Sequence, residues 1–196
     1  MHKINRRFQS YLLSAILAAS ASPALAASGF TVMYGNKSLD TDNWRPVESQ
    51  QAAGFSIEFQ GADWPVAMIA GYLSSEGSAT MYGLGYTMKI KGTTTEVSLG
   101  FRKYLTENRI RPFIEAGLMR VTASLAIQTT GYYSGSAADN DTGSGFWLGA
   151  GINAMLSDAW SIGILGRMSS ADVTLGGLNG EAGGKHFNFT ATHYFD

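Results

Sequence analysis

Five charged side chains lie in segments that otherwise alternate between apolar and small residues. They are Glu58, Glu96, Arg102, Glu115 and Arg167. In such surroundings, carboxylates and guanidinium groups could line an ion path. They could equally neutralise one another as a plug, since charged groups are normally buried in pairs. Whether these residues form an ion path or a plug depends on the width of the interior that they line.

The sequence offers little for catalysis. It has three histidines, of which His2 is near the start and His186 has no serine two residues away on either side. His193 also lacks the nucleophile and base arrangement that hydrolysis requires. We therefore predict no catalytic residues and no cofactor.

No metal site is predicted either. The run Asp139-Asn140-Asp141-Thr142-Gly143 is similar to part of a calcium loop but lacks the later glutamate. The absence of cysteine excludes disulfides and cysteine-ligated metals.

The first 26 residues have the pattern of an export signal. Lys3, Arg6 and Arg7 precede an apolar stretch at 11–21, and Ala24-Leu25-Ala26 provides small residues for cleavage. An N-terminal anchoring helix is the alternative, but the stretch is too short to span a bilayer. We predict a signal peptide at 1–26 and an exported chain at 27–196. That chain has 11 basic and 15 acidic residues, a net charge of −4 that disfavours nucleic-acid binding.

The composition is apolar without helical spans. Of the 196 residues, 45% are hydrophobic, 15% are charged and 24 are glycine. Such a chain is too apolar to be disordered. After the leader, however, no apolar run approaches the roughly 18 residues of a membrane helix.

Hydrophobicity alternates with a period of two through most of the chain, as residues 146–154 illustrate. Each such segment is a strand with one apolar face, opposite a face of glycines and polar residues. A water-soluble barrel of the lipocalin kind would also alternate. Only five lysines follow the leader, and glycines relieve crowding inside a narrow barrel. We therefore predict that the apolar face points outward to lipid.

Eight strands are predicted, separated by alternating short and long connections. They span 29–37, 51–60, 65–73, 93–104, 110–127, 145–156, 159–175 and 184–195. Turns at 61–64, 105–109 and 156–159 are short, whereas loops at 38–50, 74–92, 128–144 and 176–183 are long. Residues 81–90 could form a ninth strand, but we interpret them as extensions of their neighbours. The sequence thus predicts an all-β, eight-stranded antiparallel transmembrane β-barrel.

Two segments and the last strand resemble a known family. Residues 111–118 (Arg-Pro-Phe-Ile-Glu-Ala-Gly-Leu) and 146–151 are similar to strands of the small outer-membrane β-barrels of the OmpA/OmpX-like superfamily. Residues 187–196 resemble the terminal strand that the outer-membrane assembly machinery recognises, but they end in Asp196 rather than in the aromatic Phe195. The resemblance implies a bacterial outer-membrane protein. Members of this superfamily include adhesins, structural barrels and a few lipid-modifying enzymes.

Within such a barrel, strand register predicts two charge groups. Glu58, Arg102 and Glu115 form the lower one, and Glu96 and Arg167 the upper one. An eight-stranded interior has room for little beyond side chains, which favours the plug over an ion path.

Two candidate contact surfaces lie outside the interior. Arg120 shares the apolar face near the outer headgroups and, with Lys89 and Lys91, could bind lipopolysaccharide phosphates. A snorkelling side chain or a bulge that turns Arg120 inward are the alternatives. Aromatic and charged residues in the external loops suit a contact surface. They are Trp44, Arg45, Tyr132 and Tyr133.

We therefore expect a monomeric, plugged outer-membrane barrel with a structural or adhesin-like role through its external loops. Its expected partners are outer-membrane lipid, lipopolysaccharide and the assembly machinery, and nucleic acid is not among them. A narrow pore for small solutes and a lipid A-modifying enzyme are the alternative functions.

Overall fold

The structure, a computed structural model, describes residues 27–39, 44–132 and 134–195. The predicted signal peptide and Tyr133 lie outside these residues. Nine strands are present in the described part: β1 Ala27–Ser38, β2 Ser49–Gln60, β3 Ala67–Gly83, β4 Tyr86–Tyr104, β5 Ile110–Gly131, β6 Gly135–Met155, β7 Trp160–Leu175, β8 Leu178–Glu181 and β9 Gly184–Phe195.

Eight of these strands close into a ring. Each of β1 to β7 pairs with the next in antiparallel fashion, β9 pairs with β7, and β1 closes the ring by pairing with β9. The short β8 pairs only with the end of β7. The predicted eight-stranded antiparallel barrel is confirmed. Because the ring has no free edge, the backbone amides of the wall are paired within it.

The long strands extend further than the sequence indicated. Residues 81–90 belong to the β3–β4 hairpin, in which Gly83 is opposite Tyr86, so their interpretation as strand extensions is confirmed. The loops predicted at 74–92 and 128–144 were wrong, since most of their residues continue β3 to β6. These extensions carry polar residues on their outward faces, so the outward apolar pattern of the membrane-spanning strands is absent from them.

The outward side chains form a continuous apolar belt around the barrel. Large exposed residues of the belt include Val32, Phe101, Leu118, Leu148, Ile164 and Phe189. The interior holds polar and charged side chains instead, which confirms the predicted orientation and is the reverse of a lipocalin-type barrel. No helix among the described residues is long and apolar enough to cross a membrane.

Strands β3 to β6 continue well beyond the belt. Val97 and Arg120 face each other at its upper edge, above which the outward residues of β4 are threonines and lysines. From Val97 to Tyr86, β4 extends about 36 Å, at about 3.3 Å per residue. We call the parts of these strands above the belt, residues 74–83, 86–96, 121–131 and 135–144, the projecting sheet.

Candidate functional site

Four charged side chains form a continuous network in the lower interior. Arg102 donates from Nη1 to Glu58 Oε2 at 2.7 Å and from Nη2 to Glu115 Oε2 at 2.7 Å. Arg167 Nη2 donates to the other oxygen of Glu115, Oε1, at 3.0 Å. The Tyr104 hydroxyl donates to Glu58 at 3.0 Å. With two carboxylates and two guanidinium groups, this lower network is electrically neutral and buried.

Strand register and glycines bring the network together. Arg102 is directly opposite Glu115, and Gly149 lies between Glu115 and Arg167 across β6. A Cβ atom on Gly149 would lie 2.9 Å from Glu115 Cγ, which is too close for a side chain there. Gly100 likewise makes room for the ring of Trp147, with a notional Cβ 2.7 Å from Cζ2. These two glycines leave the space that the larger interior side chains occupy.

The upper group differs from the expected pair of Glu96 and Arg167. Glu96 Oε1 instead accepts from Lys37 Nζ at 2.7 Å, whereas Arg167 pairs with Glu115 below. Lys37 also donates to Thr94 Oγ1 at 2.9 Å and to the Ala182 carbonyl at 2.8 Å. The predicted grouping was wrong because the guanidinium of Arg167 reaches Glu115 across Gly149 and stacks on Trp147, 4.1 Å from the ring centroid.

An apolar lid covers the upper group. Buried residues from the β1–β2 connection, the barrel wall and the segment after β8 pack together there: Leu39, Trp44, Val47, Ile90, Val121, Ala123, Ala171, Val173 and Ala182. Trp44 Nε1 donates to the Glu181 carbonyl at 2.8 Å and so ties the first connection to β8. The interior is thus filled by a neutral lower network, a polar upper group and an apolar lid.

The predicted role of Trp44 as an exposed contact residue was wrong. Only 3% of Trp44 is accessible, because it packs with Leu39, Val47 and Ala182 in the buried apolar cluster. Arg45 beside it is exposed. Tyr132 is 91% exposed at the end of the projecting sheet, and its neighbour Tyr133 lies outside the described residues.

A serine and a carboxylate surround His186, an arrangement that sequence reasoning missed. His186 Nε2 lies 3.1 Å from Ser169 Oγ and 3.5 Å from Glu96 Oε1. Ser169 comes from the adjacent strand β7, so its approach depends on strand pairing rather than on sequence spacing. Both partners face the same nitrogen, and Nδ1 has no hydrogen-bond partner among the described residues. A hydrolytic relay needs the acid and the nucleophile on opposite nitrogens. All three residues of the group are also buried.

Two aspartates of the run at 139–143 accept hydrogen bonds from backbone amides at the end of β7. Asp141 Oδ2 accepts from the Thr174 amide at 2.6 Å, and Asp139 Oδ2 accepts from the Gly176 amide at 2.6 Å. The Thr174 amide, followed by that of Thr142, lowers the pKa of Asp141. Among the described residues, no group of three or more potential metal ligands occurs.

The three basic residues proposed for lipopolysaccharide do not form one cluster. Arg120 is exposed at the upper edge of the belt, opposite Val97 and Ser144. Lys91 is opposite Ala126, about 20 Å further along β5 from Arg120 at about 3.3 Å per residue, and Lys89 lies beyond it. Lys91 pairs with Glu76 at 2.8 Å, with both side chains more than half exposed. Of these three basic residues, only Arg120 lies at the upper edge of the apolar belt.

A closed antiparallel ring, an outward apolar belt and a neutralised polar interior together define the class of small transmembrane β-barrels. No family model matches the chain, and no curated protein matches it in sequence. Solved structures do match it. Ail of Yersinia pestis superposes with a TM-score of 0.58 at 12% identity, over 86% of this chain and 98% of that one.

Two further structures show the same likeness. Neisserial surface protein A has a TM-score of 0.53 at 10% identity, over 86% of this chain and 96% of its own. OprG from Pseudomonas aeruginosa has a TM-score of 0.53 at 12% identity, over 88% of this chain and 97% of its own. At these identities the likeness is one of fold. The chain therefore has the OmpA/OmpX-like fold of small outer-membrane β-barrels.

Proposed function

We propose that the chain resides in the bacterial outer membrane and acts at the cell surface through its projecting sheet, as a surface-contact protein. The observation that carries this proposal is the cluster of exposed apolar and aromatic side chains at the end of that sheet. An outer-membrane location is supported by the apolar belt and by the fold, which is shared with outer-membrane proteins such as OprG.

The end of the projecting sheet is aromatic and uncharged. Tyr82 is 83% exposed, Leu84 102% and Tyr132 91%, and we call these three residues the tip. The Tyr132 amide donates to the Gly85 carbonyl at 3.0 Å, which joins the two hairpins. Gly85 has a φ of 80°, a conformation that favours glycine in this turn. Clustered exposed apolar side chains on a rigid support are typical of contact surfaces.

The nearest cations to the tip are Lys89 and Lys91, of which Lys91 pairs with Glu76. Residues 77–88 and 121–138 contain no charged side chain, and Lys89 and Lys91 follow on the outward face of β4. Ail was crystallised with sucrose octasulfate, a heparin analogue. A sulfated glycan is accordingly one partner to include in a test of this surface.

The contact role predicts a specific loss of binding. Cells that display the barrel should adhere to immobilised heparin, immobilised serum protein or sister cells more than cells that lack it. Changing all three tip residues to serine should lower adhesion by more than tenfold, since the loss of a single anchor worth about 2 kcal/mol already corresponds to about 30-fold in affinity. Leu178→Ser is the matched control, because Leu178 is 71% exposed on β8 away from the tip. Adhesion that is equal with and without the barrel would overturn the role.

A pore is the rival function, and the filled interior argues against it. We expect the purified barrel in planar bilayers to show no steady large conductance. The lower network, the upper group and the apolar lid succeed one another along the barrel axis, and an ion would have to displace all three. Reproducible open steps from the wild-type protein, absent from empty bilayers, would instead support a solute channel.

We further propose that the protein is monomeric, is inserted by the outer-membrane assembly machinery and has no enzymatic activity. The closed ring offers no unpaired edge at belt level for a second copy. Strand β9 presents Phe187, Phe189 and Phe195 outward, the pattern expected of the recognised terminal strand. The geometry around His186 supports the absence of hydrolytic activity. Contact with lipopolysaccharide is proposed through Arg120.

A further inference from the structure

A groove runs down the lipid-facing wall below Arg120. It has a volume of about 440 Å³ and lies across β3 to β6. Val97, Leu99 and Leu118 provide its apolar sides. Small residues keep it open, namely Ala70, Ser144 and Gly145. Val97 is opposite Arg120 at the belt edge, and Leu99 is opposite Leu118 two residues further toward the bilayer centre. The groove therefore extends from the belt edge into the hydrocarbon region.

Arg120 lies at the head of this groove with an uncompensated charge. No carboxylate among the described residues forms an ion pair with it, and its cross-strand neighbours Val97 and Ser144 are uncharged. A cation at the edge of the hydrocarbon region is costly unless a partner or water satisfies it. A guanidinium group binds phosphate in bidentate fashion. The arrangement therefore combines a phosphate donor with an adjoining apolar channel.

We propose that Arg120 and the groove form a binding site for one phosphorylated glycolipid of the outer leaflet, lipid A. Its phosphate binds Arg120, and one acyl chain lies along Leu99 and Leu118. This inference rests on the proposed outer-membrane location, in which the projecting sheet and Arg120 face outward. Lys89 and Lys91 are not part of the site because they lie too far above the belt edge.

Two variants separate the two halves of the site. Arg120→Gln removes the charge, and Ala70→Leu fills the groove while leaving Arg120 intact. Lys103→Gln is the matched control, since Lys103 is an exposed cation at the opposite end of β4, across from Ile114. Each variant is first checked for folding by its heat-dependent mobility in electrophoresis.

The test is native mass spectrometry of the purified barrel titrated with bisphosphorylated lipid A, dephosphorylated lipid A or phosphatidylglycerol. We expect Arg120→Gln and Ala70→Leu each to weaken binding of bisphosphorylated lipid A about tenfold, and Lys103→Gln to leave it unchanged. Dephosphorylated lipid A should bind wild type and Arg120→Gln equally. Equal binding of bisphosphorylated lipid A to wild type and both variants overturns the site. Equal binding of phosphatidylglycerol overturns the assignment to lipid A.

Failure of the lipid site is distinguishable from failure of the proposed function. Protease treatment of intact cells reports whether the projecting sheet is outside, independently of lipid binding. Cleavage of the sheet together with unselective lipid binding overturns only the lipid A site. A protected sheet overturns the outer-membrane orientation and the lipid A site together.

Discussion

Glu115→Gln is expected to lower the free energy of unfolding by about 3–5 kcal/mol, the range for breaking a buried ion pair. Glu115 accepts from Arg102 with one oxygen and from Arg167 with the other. An amide leaves the two guanidinium groups with a single carboxylate, Glu58. The lower network then carries a net positive charge in a buried environment.

Unfolding by urea in detergent micelles, followed by near-ultraviolet circular dichroism, measures this loss. Glu76→Gln is the matched control, because Glu76 pairs with Lys91 where both side chains are more than half exposed. Exposed pairs of this kind contribute about 0–1 kcal/mol. A loss for Glu115→Gln no larger than that for Glu76→Gln would contradict the network.

A compensating change tests whether charge is the cause. Arg167→Met added to Glu115→Gln removes the guanidinium that lost its carboxylate and restores neutrality. We expect the double variant to be more stable than Glu115→Gln alone, since replacing buried ion pairs with apolar groups is often neutral or stabilising. Additive destabilisation would assign the effect to packing against Trp147 instead.

The wall of the barrel could be predicted from the sequence because one physical rule governs it. A strand at the belt must present apolar side chains to lipid and small or polar ones inward, so residues such as those at 146–154 alternate with a period of two. Only 93–96 and 121–127 of the projecting sheet were predicted as strand, because both of its faces lie outside lipid. Elsewhere in it, small and polar residues such as Ser136 to Asn140 are compatible with strand and with loop alike.

Interior pairing was only partly predictable, for a reason of geometry. Register correctly places Arg102 beside Glu115, since these residues are directly opposite on adjacent strands. Contacts between strands that are not directly paired depend on the length of the side chains and on glycines that leave space between them. Arg167 therefore reaches Glu115 across Gly149, and Lys37 reaches Glu96 from β1. Neither contact can be predicted from spacing along the chain. The proximity of Ser169 to His186 was missed for the same reason.

Trp44→Ala is expected to open the apolar lid while leaving the tip intact. Removing a buried tryptophan costs about 3–5 kcal/mol when the structure unfolds as a unit. We expect the loss to appear as local unfolding around residues 44–48, since the paired strands of the wall do not depend on Trp44. Hydrogen exchange should accelerate at the Leu39 and Ala182 amides, which bond to Glu48 and Ala171 carbonyls in the closed lid. The amides of the barrel wall should keep their protection.

Trp64→Ala is the matched control for this substitution, since Trp64 is 51% exposed in the β2–β3 turn at the other end of the barrel. It should leave exchange at Leu39 and Ala182 unchanged. Trp44→Ala cells should also adhere as wild type does, because Trp44 is buried and lies away from the tip. Unchanged exchange combined with lost adhesion would return Trp44 to the contact surface that the sequence predicted. Fast exchange with normal adhesion would establish that the lid and the tip act independently.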